Sequence, residues 1–412
     1  MSIRIFFKEA GITSNIDIIN IFIIINTFIW YFHAFEILRE LIKEAMLSYL
    51  GALIVWTFNF LGAAILALIG ATLTDKIDQS VWFLRFWIFL GIISTLIPIF
   101  ADVKNMLNIL IFSFMLGVSF GLGMPVCMGY YADHTNTLSR ARLGGLIVFL
   151  IGVGAFLLSV ILPGTLIRET VVLTIWRGLG LISLFIIKPF DKFSNKIQRV
   201  SYVHILGQRS FLLYLIPWIM FCLVNYLTIP VTIRLFGEDM IRFSMVIENA
   251  LIGAFAIIGG FLSDSIGRKR VIIMGFVMLG LGYAILGVYP GMPSWYFYTV
   301  IDGIAWGIFF TLFIITIWGD LAYGMPSKKY YAIGGLPYLL SNFLRLMVGS
   351  WIAETVSAYT VFSFASFFLF LAVIPLMYAP ETLPEKEIRR RELRKYVEKA
   401  KKIREKYAKE ES

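Results

Sequence analysis

Three charged residues stand where an oily chain has least use for them. Glu248, Asp302 and Arg345 all fall inside long apolar runs. Counted along a helix at 1.5 Å per residue, each lies roughly 10 Å below the same face of a membrane. A charge inside hydrocarbon is costly and needs a partner or water. Two carboxylates around one arginine leave a surplus acidic group, which is equipped to take up and release a coupling proton. The same three residues also read as a structural ion pair that fixes helix packing. Arg177 sits at similar depth in another run, with Glu36 or a substrate anion as its available partner. Arg85 is close enough to the inner surface to snorkel.

Polar and aromatic residues recur at helical spacing in three runs. Asn26, Trp30 and His33 share one face. Tyr214, Trp218, Cys222 and Asn225 share another, and Asp302, Trp306 and Phe313 a third. Such stripes suit the wall of a solvated, substrate-lined cavity, and they suit plain aromatic packing as well. His33 ends its stripe near the outer surface, where an imidazole can exchange a proton. His134 and His204 lie in connecting segments without a neighbouring ligand set, and no metal site is expected. Cys127 and Cys222 both lie in apolar runs and read as small buried residues, neither a disulfide framework nor a metal site.

The elements that must position these residues follow from composition. Of 412 residues, 59% are hydrophobic and 15% charged, against about 25% charged in a soluble domain. About 20 apolar residues span a bilayer as a helix, and backbone groups in lipid must bond within the segment. Twelve such spans are expected, at about 16–35, 47–73, 81–101, 107–131, 143–162, 170–187, 210–233, 241–262, 271–288, 295–321, 332–353 and 356–378. The first hydrophobic stretch is too long for a signal peptide and lacks a small-residue cleavage pattern, so it is read as the first span. With the N-terminus placed inside, most of the 36 Lys and Arg fall on the inner side, with or without the tail. Both termini are then cytoplasmic, in a multi-pass protein of the plasma membrane.

The chain repeats itself. Asp75 and Asp264, Gly117 and Gly307, and the LGGL at 143–146 and the IGGL at 333–336 are each about 190 residues apart, as expected of a six-helix unit used twice. The expected organisation is a six-helix bundle over 1–189, a basic cytoplasmic linker over 190–209, a second bundle over 210–380 and a tail over 381–412. In the tail, Leu393, Tyr396, Ala400, Ile403 and Tyr407 trace an amphipathic helix. It reads as a helix lying on anionic lipid, as a short coiled-coil contact, or as a merely solvated helix. Its net charge is small, and nucleic acid is not an expected partner.

Between the eighth and ninth spans runs GGFLSDSIGRKR, residues 259–270. Gly260, Asp264, Gly267, Arg268 and Lys269 in this stretch resemble the G-x-x-x-D-x-x-G-R-[KR] signature of the major facilitator superfamily. The PETLP at 380–384 resembles the P-E-T stretch after the last helix of sugar-porter-like and organic-ion members. The resemblance covers the whole chain and implies an all-α integral membrane fold of twelve helices in two pseudo-symmetric six-helix bundles. It also implies that spans one, four, seven and ten line a central cavity, and that Asp264 caps the helix opening the fifth span, at Gly144–Gly145. Such contacts hold the halves together on the cytoplasmic side and break as the carrier rocks. The bare residues also read as a positively charged turn without a latch role. The first half departs from the signature: Asp75 is kept, but Ala71 replaces the leading glycine and Asp78–Gln79 the glycine–arginine pair. A symmetric latch at Gly334–Gly335 would rest on Asp75 alone. The G-P motif of family antiporters is missing from the fifth span, which argues against proton-coupled drug export.

No P-loop, G-x-S-x-G or H-E-x-x-H motif occurs, and neither an enzyme nor a cofactor is expected. The reading is a secondary active transporter of a small organic solute, working by alternating access with an ion, most simply a proton, as the coupling partner. The P-E-T stretch points to sugars or small organic ions, and the intramembrane arginines to an anionic or zwitterionic solute. A non-transporting sensor or scaffold with the same fold is the alternative.

Overall fold

The computed structural model describes residues 12, 15–74, 81–100, 105–161, 165–186, 200–322 and 324–384. Its long helical rods are α1 (Asn15–Glu44), α2 (Tyr49–Leu73), α3 (Val81–Phe100), α4 (Met106–His134), α5 (Arg140–Ile161), α6 (Leu166–Phe185), α7 (Arg209–Phe236), α8 (Glu238–Ile266), α9 (Arg268–Val288), α10 (Met292–Leu321), α11 (Lys328–Thr355) and α12 (Ala358–Tyr378). Ten of them are long and apolar enough to cross a membrane. The other two are α6, which carries Arg168, Glu169 and Arg177, and α11, which carries Lys328, Lys329, Arg345 and Glu354. Each rod matches one expected span, but α1 runs on to Glu44, where its extra turns carry a Glu36–Arg39 ion pair of 2.5 Å.

Helices α1–α6 pack as one group and α7–α12 as another, and the groups meet chiefly through α5 with α8 and α2 with α11. Glycines set the closest approach. A methyl group on Gly145 would stand 2.2 Å from the Ala256 carbonyl oxygen, and one on Gly260 would stand 2.4 Å from that of Ala141. The α5–α8 backbones are therefore in direct contact over about one turn of each helix. Both described chain ends lie at the same, basic end of the bundle: Asp17 accepts from the Tyr130 hydroxyl at 3.1 Å near the end of α4, and Lys269 donates to the carbonyls of Met377 and Ala379 at 2.8 and 2.9 Å.

Two rods are interrupted. In α4 the chain breaks at Leu122–Gly123, where a methyl on Gly123 would overlap the Trp87 ring. In α10, residues Phe310–Thr316 form a π-helical stretch, and the Thr316 hydroxyl donates to the Thr311 carbonyl at 2.8 Å. Widened turns of this kind are concentrated at functional sites.

Because Gly145 faces backbone rather than a yielding side chain, Gly145→Val should force α5 and α8 apart and cost about 1–3 kcal/mol, the usual overpacking penalty. A Gly152→Ala control, placed where the added methyl meets nothing within 4 Å, should leave the thermal unfolding midpoint unchanged.

Candidate functional site

The stretch at 259–270 folds into a tight corner. Gly267 has φ +104°, in the region that favours glycine, and a methyl there would also strike Glu381 at 2.5 Å. Asp264 Oδ2 accepts from the Arg142 backbone N–H at 2.9 Å and its Nε at 3.2 Å. Asp264 thus caps the first turn of α5, two residues before the expected Gly144–Gly145, because those glycines are taken up by close contacts with α10 and α8. Arg268 is fully buried. It pairs with Asp264 at 3.3 Å and with Asp320 at 2.8 Å, and donates to the Thr137 carbonyl. Asp320, at the end of α10, also receives Arg140 from the start of α5. Glu381 of the P-E-T stretch accepts from the backbone N–H groups of Arg268 (2.9 Å) and Lys269 (3.2 Å), capping α9, and Thr382 donates to Asp320 at 3.3 Å. Five elements are thereby tied at the basic end.

Sequence reasoning named Asp264, Gly267, Arg268 and Lys269 but missed Arg140, Asp320 and Glu381 as partners. The available signal was Asp320 itself, an acid at the tip of an apolar span facing the excess cations of that end. Asp75 lies outside the described residues. At the pseudo-equivalent junction Asp133, from α4, accepts from the Ser327 hydroxyl at 2.6 Å and from its backbone N–H, at the start of α11.

Above this web a cavity of about 70 Å3 opens between the two groups of helices. Its walls are Phe28 from α1, Ala67 from α2, Phe120, Met124 and Met128 from α4, Phe313, Ile314 and Trp318 from α10, and Tyr331, Gly335, Tyr338 and Leu339 from α11. The Tyr331 hydroxyl is already spent on the Ile315 carbonyl, whereas Trp318 Nε1 has no partner.

Phe313 is the one member of the three sequence stripes on this wall. The seven residues expected to line a cavity are elsewhere. Asn26 and Trp30 turn into the core of the first group: Asn26 donates to the Trp176 carbonyl at 2.6 Å and Trp30 to the Thr95 hydroxyl at 2.8 Å. His33 Nε2 lies 3.1 Å from the Ala155 carbonyl. Tyr214 donates to the Pro380 carbonyl at 2.7 Å, and Trp218 to that of Gly334 at 2.9 Å. Asn225 is buried within α7. Trp306 stands beside the cavity, in ring contact with Tyr226, Phe310 and Tyr338. The stripes were real faces, but helical spacing does not say which neighbour a face meets.

The expected carboxylate–arginine cluster is divided. Asp302 is buried beside Glu248 and Tyr298, and its Oδ1 has no hydrogen-bond partner among the described residues. A hydrogen-bond chain runs from Tyr298 to Tyr283 at 2.8 Å and on to Thr228 at 2.8 Å. It links α10, α9 and α7. Arg345 is not part of it. Its guanidinium lies over the Tyr226 ring at 5.9 Å, on the far side of Trp306, because α11 packs on α7 and not on α8.

Arg177 is fully buried in the first group. It donates to Asn26 (3.1 Å) and Thr27 (2.7 Å), and is sandwiched between the rings of Trp30 and Trp87 at 4.7 and 4.9 Å. No acid pairs with it among the described residues. Glu36 is engaged with Arg39 instead. Arg85 bonds the Leu184 carbonyl at 2.9 Å.

No family model matches the chain. Solved structures with this architecture include the E. coli fucose:proton symporter FucP (TM-score 0.72, 11% identity, 90% of this chain and 100% of that one). The human organic anion transporter MFSD10 (0.68, 13%, 88% and 100%) and the proton:xylose symporter XylE (0.64, 16%, 89% and 96%) are further examples. A stretch of 105 residues is 29% identical to the multidrug transporter protein MdtP of Bacillus subtilis (strain 168), covering 26% of this chain and 19% of that protein. The chain therefore has the fold of the major facilitator superfamily. With ten candidate spans, it is a multi-pass membrane protein.

Removing the shared acid should open the basic end. In a background with Cys127 and Cys222 replaced by serine, a Gly335→Cys reporter on the cavity wall should react slowly with a membrane-impermeant thiol reagent added from that side. Adding Asp320→Asn leaves Arg140 and Arg268 without their common partner, a loss of about 3–5 kcal/mol for a buried pair. The labelling rate should then rise about tenfold or more.

Proposed function

We propose that this chain is a secondary active transporter that carries a small organic solute by alternating access. The observation that supports this most is the cavity between the two helix groups, shut at one end by ion pairs that join those same groups. Ion pairs between rigid bodies are the kind of contact that can break and re-form as the bodies rock, because they need no repacking of a core. In this reading the basic end is cytoplasmic, following the excess of Lys and Arg there, and the observed state is closed to the cytoplasm.

The chemistry of the cavity narrows the solute. A sugar presents a hydroxyl on nearly every carbon, and each needs a partner once desolvated. This wall offers rings, methionines and few free polar atoms. An organic solute with a substantial apolar surface suits it better than a sugar does.

Proton coupling is assigned to the Glu248–Asp302 pair. The two carboxyl groups lie together within the apolar span region, where a group able to take up and release a proton suits a coupling role. The Tyr298–Tyr283–Thr228 chain connects this proton to the packing of four helices, so its loss or gain bears on how they fit together.

The first test is a thermal-shift screen of the purified protein against sugars, amino acids, organic acids and organic cations, because a ligand of the native state raises the melting temperature. A labelled hit should then accumulate in proteoliposomes under an imposed pH gradient. Asp302→Asn should reduce that accumulation about tenfold or more while leaving exchange of internal for external solute within about twofold. Unchanged pH dependence of uptake in this variant would remove the carboxyl pair from the coupling role. Absence of both stabilisation and flux across all four classes would favour a sensor or scaffold.

A further inference from the structure

Arg345 is the cation that the rest of the structure leaves unanswered on the cavity side. Its Nε is buried without a hydrogen-bond partner, and the guanidinium forms no ion pair among the described residues. The nearest charges are Glu36 and Arg39 on the outer turns of α1, and these are bonded to each other. One turn deeper on α11, Asn342 Oδ1 is also buried without a partner. An amide head turns either way, so Asn342 can offer an N–H as readily as an acceptor.

Tyr338, Asn342 and Arg345 stand at i, i+4 and i+7 and share one face of α11. Tyr338 lines the cavity. The same face thus leads from the apolar cavity, past an unsatisfied amide, to an unpaired guanidinium roughly 10 Å further out. Rings lie along this face beyond the cavity: Tyr226 contacts Tyr338 at 5.7 Å, Trp306 contacts Tyr338 at 6.2 Å, and the Arg345 guanidinium lies over Tyr226. Rings at one end and a lone cation at the other are complementary to a molecule of the opposite arrangement.

We propose that the solute is an aromatic carboxylate, held with its ring in the cavity beside Tyr338 and its anionic group on Arg345. This rests on the transport reading for its biological sense, but not for its test, which measures binding alone. Guanidinium and carboxylate form a charge-assisted, two-point contact, while offset ring contacts add to the burial of the apolar body. Arg345 is half-buried, with only its Nε shut off from water, and an incoming carboxylate replaces the remaining water with a charge-assisted contact.

The probes are 1-naphthylacetate, its neutral amide 1-naphthylacetamide, and a naphthyl trimethylammonium salt, titrated by calorimetry into the purified full-length chain. The acid should bind at least about tenfold more tightly than the amide, the loss expected when one charge-assisted contact becomes neutral. The cation should bind more weakly still. Arg345→Gln should erase the preference for acid over amide, and Arg345→Lys should restore part of it. Equal binding of acid and amide by the unsubstituted protein, tighter binding of the cation, or no binding of any probe would each overturn the proposal, whether or not the variants fold. Should the acid bind as expected but fail to cross proteoliposome membranes, the site stands and the transport reading falls.

Discussion

A carboxylate shared by two buried arginines is the centre of the contacts that join the two halves of this molecule. Asp320 receives Arg140 from α5 and Arg268 from the start of α9, and both guanidinium groups are withdrawn from water. Neither arginine would tolerate that position alone, since an uncompensated buried charge is among the most destabilising features a fold can carry. The rest of the basic end supplies much of the solvation that water would have given. Asp264 satisfies Arg142 and the open turn of α5, Glu381 satisfies the open turn of α9, and carbonyls of Ala132, Thr135 and Thr137 accept from the Nη2 groups of Arg140 and Arg268, leaving Arg268 Nη1 without a hydrogen-bond partner among the described residues.

The two halves share a plan but handle buried charge by opposite means. In the first, Arg177 is accommodated by ring faces and neutral oxygens, with no acid beside it among the described residues. In the second, two acids lie side by side next to the bonded Tyr298 and Tyr283 hydroxyls. A guanidinium is weakly hydrated and planar, so it can be stacked between indoles. A carboxyl cannot, and needs donors or a shared proton. The repeat about 190 residues long therefore keeps the helices and the glycine contacts while the polar core of each half has diverged.

Much of the fold was legible in the sequence because lipid leaves few options. Long apolar runs must be helices, and the rods fall on the expected spans. The corner at 259–270 was legible too, since a glycine, an acid and three cations between apolar runs have few uses. What could not be read was pairing. Asn26 and Trp30 do share a face, but that face meets α3 and α6 rather than the cavity. Glu248, Asp302 and Arg345 do lie at like depth, but depth is one coordinate of three, and α11 packs on α7 while α8 packs on α10. The cavity wall escaped notice because Phe28, Met124, Met128 and Leu339 are residues that any helix in a membrane would carry.

The π-helical stretch of α10 runs from Phe310 to Thr316, between the buried acid Asp302 and the anchored acid Asp320. It holds about one residue per turn more than an α-helix does, so closing it would rotate one end of α10 against the other by about 100°. While both arginines grip Asp320, that end of the helix is held. The twist would fall on the outer segment, carrying Trp306 and Asp302 around the helix axis. The rod is thus built like a torsion spring, fixed at one end, with the cavity wall wound into its middle.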